Sequence, residues 1–415
     1  MKNKLRVLMR NSSFVAKIIR VLSFFPFPWE IKRKLIGWYL QSEGDRPYLE
    51  ETVKRYIQMM PLLASVDSVV LSKSAIIKAC SAVERGVILV GFEHELDKLL
   101  ANPASSDLLQ KYDILFMPTW QPFYSEALLR ALKAANDRII LLPSSESCYY
   151  KALCMPGLFR AMPFHASSWI NADLYSSSQD KDIDILMVAN FSTYKRHYLL
   201  FEALINLPKD LKVILVGRPL ANRTANDIRR EAKKYGVENR FELVESAPNE
   251  VVADYLSRAK LVLGLSGREG SYVSLAEALF ADAAVGVYAN AHIGTKDYIN
   301  PKTGFLFQSD VPLYLQIKEA LKVVETLAPR QWAVANISSA VNVSRLNLLL
   351  KQEAYRRACE WHVDIDPFFI QSFQIEPAAG RWSDAIEAEV LRYEQAGLSL
   401  RTQLLKINKR KNVDS

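Results

Sequence analysis

Short apolar runs alternate with amphipathic stretches along most of the chain from about Val69 onward. Val87–Val90, Ile114–Met117 and Arg138–Leu142 read as strands, and Tyr124–Ala135, between the second and third, reads as a helix. A Ser-rich stretch, Ser167–Asp182, reads as a connector between domains. Beyond it the rhythm restarts more clearly. Strands are expected at Ile185–Val188, Val213–Val216, Phe241–Val244, Leu261–Leu265 and Ala284–Tyr288, and helices at Leu199–Leu207, Ala225–Tyr235, Val251–Ala259 and Val273–Phe280. Apolar strands separated by helices are strands covered on both faces, so the fold class is α/β with parallel, doubly wound sheets. Ligands of such sheets sit beyond the carboxyl ends of strands. The loops opening at Ala189, Gly217 and Ser266 are therefore where chemistry is expected. A final helical segment is expected over Ser383–Asn408.

Length and charge refine this picture. At 415 residues the chain is too long for one small core and fits two domains. Its net charge of +8 is not spread evenly: residues 1–40 hold nine basic residues and one acid, so the remainder balances. That placement argues against nucleic acid as a partner. The first forty residues imitate a signal peptide, yet their longest uncharged run, Val21 to Trp29, contains Pro26 and Pro28 and is far short of the ~20 residues a span needs. Phe14, Val15, Ile18, Ile19, Leu22 and Phe25 recur at helical steps, with Lys17 and Arg20 off the stripe and Trp29, Trp38 and Tyr39 nearby. This is the pattern of an interfacial helix on an anionic membrane surface; the alternative is a helix packed on the protein's own core. The four cysteines (Cys80, Cys148, Cys154, Cys359) form no C-x-x-C pair, which fits a reduced, cytoplasmic chain without structural zinc.

The most informative stretch runs from Leu261 to Leu279. A strand leads into a loop with Glu269-Gly270 and then into a helix carrying Glu277. The free N–H groups near Tyr272 to Leu275 suit an anion, and the two carboxylates suit hydroxyls on either side of it. Phosphate flanked by hydroxyls describes a sugar nucleotide. A second stretch, Asn190 to His197, places Lys195-Arg196 after a strand end, where cations would neutralise a leaving diphosphate. Both clusters also fit ordinary solvated side chains. His94, His165, His197, His292 and His362 lack a second ligand at metal spacing and read as surface or linker residues. Asp182/Asp184 and Asp364/Asp366 imitate a metal-binding D-x-D but lie outside the expected ligand loops.

These motifs resemble glycosyltransferase family 4, the retaining enzymes of the GT-B fold. The resemblance is carried by Glu269-Gly270, Glu277-Ala278, Val285, Lys296–Phe307, Lys195 and Val216-Gly217-Arg218. It implies two Rossmann-like domains facing across a cleft. Their expected extents are 46–178 for the acceptor and 179–365 for the nucleotide sugar, flanked by a basic amphipathic segment, 1–45, and a helical tail, 366–415. It further implies that Glu269 binds the donor sugar, Glu277 the ribose, and Gly270, Ser271, Tyr272, Val273, Ser274 and Leu275 the phosphate and sugar through their backbone. Lys195 and Arg196 would steady the diphosphate, with Gly217, Arg218 and Asn190 also in the donor site. No cofactor is implied beyond the nucleotide-sugar donor, and no metal. The sequence departs from the family where Asn190 replaces an arginine, Tyr272 a glycine, and Asp282 and Ala284 a glycine and a proline. The usual glycine-rich loop after the first strand of the N-terminal domain is missing, and Trp120 stands near the place of a common histidine.

The expected function is transfer of a sugar from a nucleotide donor to a lipid-linked or saccharide acceptor of a surface polysaccharide, at the inner face of the cytoplasmic membrane. Two alternatives stay open: a sugar-nucleotide epimerase or phosphorylase on the same fold, and a non-catalytic partner in a membrane assembly.

Overall fold

The computed structural model describes residues 67–119, 127–128, 131–132, 138–153, 159–178, 180–371 and 374–401, with single positions between 18 and 35 and between 403 and 407. The chain forms two compact units. One is built from residues up to 165 and again from 343 onward, the other from residues 166–342.

The first unit opens with β1 (Val69–Leu71), β2 (Ser74–Lys78) and β3 (Gly86–Gly91), then α1 (Glu93–Ala101) and α2 (Ser105–Lys111). There follow β4 (Tyr112–Met117), β5 (Ile139–Leu141), α3 (Glu146–Leu153) and β6 (Arg160–Ala161). The sheet order is β2-β3-β4-β5-β6, antiparallel at β2 and parallel elsewhere. Every residue of β3 and β4 is buried, as continuously apolar strands require. Within the expected helix Tyr124–Ala135, the described positions Ala127, Leu128, Ala131 and Leu132 are helical and buried; the others lie outside the described residues.

The second unit contains β7 (Ile183–Val188), α4 (His197–Asn206), β8 (Val213–Gly217), α5 (Ala225–Lys234), β9 (Glu242–Glu245) and α6 (Asn249–Arg258). It continues through β10 (Ala259–Gly264), α7 (Val273–Phe280), β11 (Ala284–Tyr288), β12 (Gly304–Phe307), α8 (Leu313–Val323) and α9 (Pro329–Ile337). All six strands are parallel in the order β12-β11-β10-β7-β8-β9. The chain moves outward from β7 through β8 and β9, then crosses to β10 on the other side. β7 and β10 are thus neighbours whose following loops diverge, the topological switch point where ligands of open sheets bind.

The boundary expected at 178/179 falls earlier. The Ser-rich stretch is not a free connector, since Ser167, Ser168 and Trp169 are buried within the second unit. The Ser167 backbone N–H donates to Ser271 Oγ at 2.9 Å, and the Asn342 amide donates to the Ser168 carbonyl at 2.9 Å.

After α10 (Ser339–Arg356) the chain returns to the first unit. It adds a hairpin, β13 (Phe368–Gln371) with β14 (Gln374–Pro377), then α11 (Asp384–Gln395) and β15 (Leu398–Leu400), which pairs in parallel with β1. The single helix expected over Ser383–Asn408 is therefore broken. Gly397 has φ +80°, and a Cβ there would lie 2.1 Å from the Asp67 carbonyl oxygen, so the turn into β15 requires glycine. Nor are residues 366–415 a separate tail. Tyr112 Oη donates to Glu389 at 2.5 Å, and Arg392 and Tyr393 of α11 both reach Asp107. The expected membrane segment, 1–45, lies mostly outside the described residues; within it Ile18, Val21 and Leu22 are helical, the first two exposed. Among the described residues no helix is long and apolar enough to cross a membrane.

Candidate functional site

Lys195 and Glu269 come from the two loops that flank the switch point. After β7 the chain makes a short 3-10 turn, Thr193–Lys195, and enters α4 through Arg196 at φ 54°. After β10 it enters α7 through Tyr272 at φ 49°. Two non-glycine residues thus hold left-handed conformations at matching places, each costing about 1–2 kcal/mol. Such strain persists where surrounding contacts over-determine it, and it concentrates at functional sites.

The contacts here do so. Glu269 accepts a hydrogen bond from Lys195 Nζ in a close ion pair, with the lysine side chain 5% exposed and the glutamate 19%. The ammonium also sits 3.6 Å from the centre of the Tyr272 ring. Tyr272 Oη and Ser274 Oγ both donate to the Val188 carbonyl, at 3.4 and 3.2 Å, tying the start of α7 to the end of β7. From the other side, the loop after β11 clamps the glutamate loop: Glu269 N–H donates to the His292 carbonyl, Gly294 N–H to Gly270 and Thr295 Oγ1 to Tyr272. Burial lowers the Lys195 pKa, with Glu269 opposing the shift, and burial raises that of the Tyr272 phenol.

Several buried polar atoms around this pair have no hydrogen-bond partner. They are Ser192 Oγ, Arg196 Nη2, His197 Nδ1, Ser266 Oγ and Glu269 Oε2. Ser192, Arg196 and His197 follow β7, and Ser266 and Glu269 follow β10, so these atoms belong to the same two strand-end loops as the ion pair. Sequence reasoning placed Ser266 at the mouth of a ligand loop but singled out neither Ser192 nor Ser266 as a site residue, their signal being a serine just beyond a strand end. It also took His165 and His197 for surface or linker residues. Both are buried, and their pKa values are lowered by burial, to about 4 and about 3.

Other expected site residues divide in their placement. Arg196 does not point outward as a second phosphate cation: its Nε donates to the Leu265 carbonyl, and its guanidinium packs against Gly267 and lies 5.4 Å from the Tyr288 ring centre. Asn190 closes a turn, accepting from Ser192 N–H at 3.1 Å and donating to Tyr194 Oη at 2.9 Å. Gly217 ends β8 so close to Ala189 that a Cβ would meet its carbonyl oxygen at 2.2 Å. Arg218, next to it, is exposed. Ser271 is turned toward Ser167, and Leu275 is buried in the core, so both face the site through backbone. Val273 opens α7 and is half-buried. Glu277, one turn into α7, pairs with the Tyr175 hydroxyl, and burial pushes its carboxyl pKa up. Asp182 and Asp184 are engaged elsewhere, with Arg258, Lys212 and Lys260, and Asp364 accepts from Trp361 Nε1.

Residues 175–326 match the family model described as glycosyl transferases group 1. The matched segment holds Lys195, Glu269, Tyr272 and Glu277. Among solved structures the chain is similar to TarM, at 15% identity and TM-score 0.50 over 63% of this chain and 54% of that one. It is similar also to the sucrose-phosphate synthase of Thermosynechococcus elongatus, at 17% identity and TM-score 0.51 over 65% of this chain and 74% of that one. Anabaena HepE, solved in complex with UDP, matches at 15% identity and TM-score 0.51 over 64% and 78%. The chain thus spans about half the length of TarM. No curated protein sequence matches it. These likenesses show the GT-B fold, two Rossmann-like α/β units, as the sequence motifs implied.

Proposed function

We propose that this chain is a retaining, metal-independent glycosyltransferase that moves a sugar from a nucleotide-sugar donor to a lipid-linked or saccharide acceptor of a surface polysaccharide. The observation that carries the reading is the Lys195–Glu269 pair, which joins the two loops that flank the switch point. Lys195 would stabilise the charge that builds on the departing diphosphate, a task for which a fixed, dehydrated cation is suited. Glu269 has an unpartnered Oε2 to accept from a sugar hydroxyl. Glu277, desolvated and held by Tyr175, is suited to accept from a ribose hydroxyl that replaces water. The N–H groups that open α7 would meet phosphate oxygens.

Release of nucleoside diphosphate from a panel of UDP- and GDP-sugars tests the reading. Wild type should release one diphosphate, and Lys195→Ala or Glu269→Gln should slow release by a factor of about 100 or more, the scale of losing one transition-state contact. Unchanged release in either variant would overturn the assignment, and tight donor binding without release would point to the non-catalytic alternative. The membrane reading rests on the basic surplus of residues 1–40. Full-length protein should float with anionic vesicles, and reversing Lys17, Arg20, Lys32, Arg33 and Lys34 to glutamate should abolish flotation.

A further inference from the structure

We propose that Tyr272 is a positioning residue which holds the Lys195 ammonium so that one N–H stays directed at the terminal phosphate of a nucleoside diphosphate. This rests on the donor reading above and deepens it. A lysine ammonium has three N–H donors. One goes to Glu269 Oε1, and the Tyr272 ring face covers a second direction at 3.6 Å from its centre. Among the described residues no further side chain or carbonyl accepts a hydrogen bond from Lys195 Nζ.

The ring is where it is at the expense of backbone freedom. Tyr272 starts α7 in the left-handed region, which a glycine would enter without strain. A glycine would leave Lys195 only the more distant Tyr194 ring, 5.4 Å from its ammonium. Three contacts keep the tyrosine in place: its hydroxyl on Val188, its carbonyl accepting from Thr295 Oγ1, and its ring on the ammonium. A cation that is 5% exposed gains most from a ring face, because water no longer competes for it. Held between the Glu269 carboxylate and the Tyr272 ring, with the Tyr194 ring farther off at 5.4 Å, the ammonium keeps an N–H for a ligand oxygen. An oxygen of a terminal phosphate is the ligand group suited to that N–H, and no covalent bond forms or breaks when it binds.

Calorimetric titration of the full chain with UDP, GDP, UMP and GMP tests this. Wild type should bind the diphosphate of one base more tightly than its monophosphate. Tyr272→Phe, which keeps the ring, should stay within about twofold of wild type, and Tyr272→Leu should lose about tenfold in diphosphate affinity while monophosphate affinity stays unchanged. If Tyr272→Leu binds diphosphate as wild type does, or loses mono- and diphosphate equally, the inference is overturned and the donor reading stands. A wild-type chain that binds none of the four nucleotides overturns the donor reading itself, and this inference with it.

Discussion

Glu269→Gln and Lys195→Met each break the same ion pair, yet they should not destabilise the protein equally. Removing one partner of a buried pair costs about 3–5 kcal/mol when the survivor is wholly cut off from water. The lysine side chain is 5% exposed and the glutamate 19%, so the two survivors differ in their access to solvent. Glu269→Gln strands an almost dehydrated ammonium, relieved by the Tyr272 ring, which is worth about 2 kcal/mol to such a cation. A net loss of about 2–3 kcal/mol follows. Lys195→Met strands a carboxylate on the more exposed side chain, although its Oε2 is buried, and the loss should be smaller, about 1–2 kcal/mol. The double variant removes both charges and should recover most of the stability. Scanning calorimetry that resolves the transition of the 166–342 unit provides the measurement, with about 2–4 °C per kcal/mol expected at this size. Lys195→Met as damaging as Glu269→Gln, or additive losses in the double variant, would refute the reasoning.

Three further outcomes follow from groups near the site and from the C-terminal turn. His197 is buried with a pKa lowered to about 3, so the unfolded chain binds its proton first and stability falls as pH drops below about 6.5; His197→Phe should flatten that limb by about 1.4 kcal/mol per pH unit in urea titrations. Glu277 has a raised pKa, so its ionised form is penalised in the folded state and stability falls as pH climbs past 4.5; Glu277→Gln should stabilise the free protein above that pH and weaken nucleotide binding, with calorimetry reading both. Gly397→Ala should destabilise the first unit by about 2–3 kcal/mol, because φ +80° and the Asp67 carbonyl both exclude a Cβ; unchanged melting of that unit would contradict the geometry.

Much of the second unit was legible because its strands are short, apolar and buried on both faces, and α7 and β11 begin and end where the pattern places them. The roles of Lys195 and Glu269 as neighbours could also be anticipated, since strand-end loops of a parallel sheet converge. Arg196 was misjudged because its direction depends on a left-handed backbone, which an arginine does not advertise. Ser167 and Ser168 looked like linker because composition cannot show that a hydroxyl will find Ser271 or a carbonyl Asn342. The C-terminal segment looked like one long helix because amphipathic periodicity runs on past Gly397, while pairing with β1 is a contact across more than three hundred residues.

That pairing bears on how the chain is made. Gln403 brackets Ile76 of β2, accepting from its N–H at 3.2 Å and donating to its carbonyl at 2.8 Å. A ribosome delivers Gln403 more than three hundred residues after β2, so the main-chain groups of Ile76 wait through that interval without this partner. The 166–342 unit is contiguous and can fold as it emerges. The order of completion is then the reverse of the order of birth, and a nascent chain stalled before α11 would present an open strand edge, the kind of surface that aggregates or recruits chaperones.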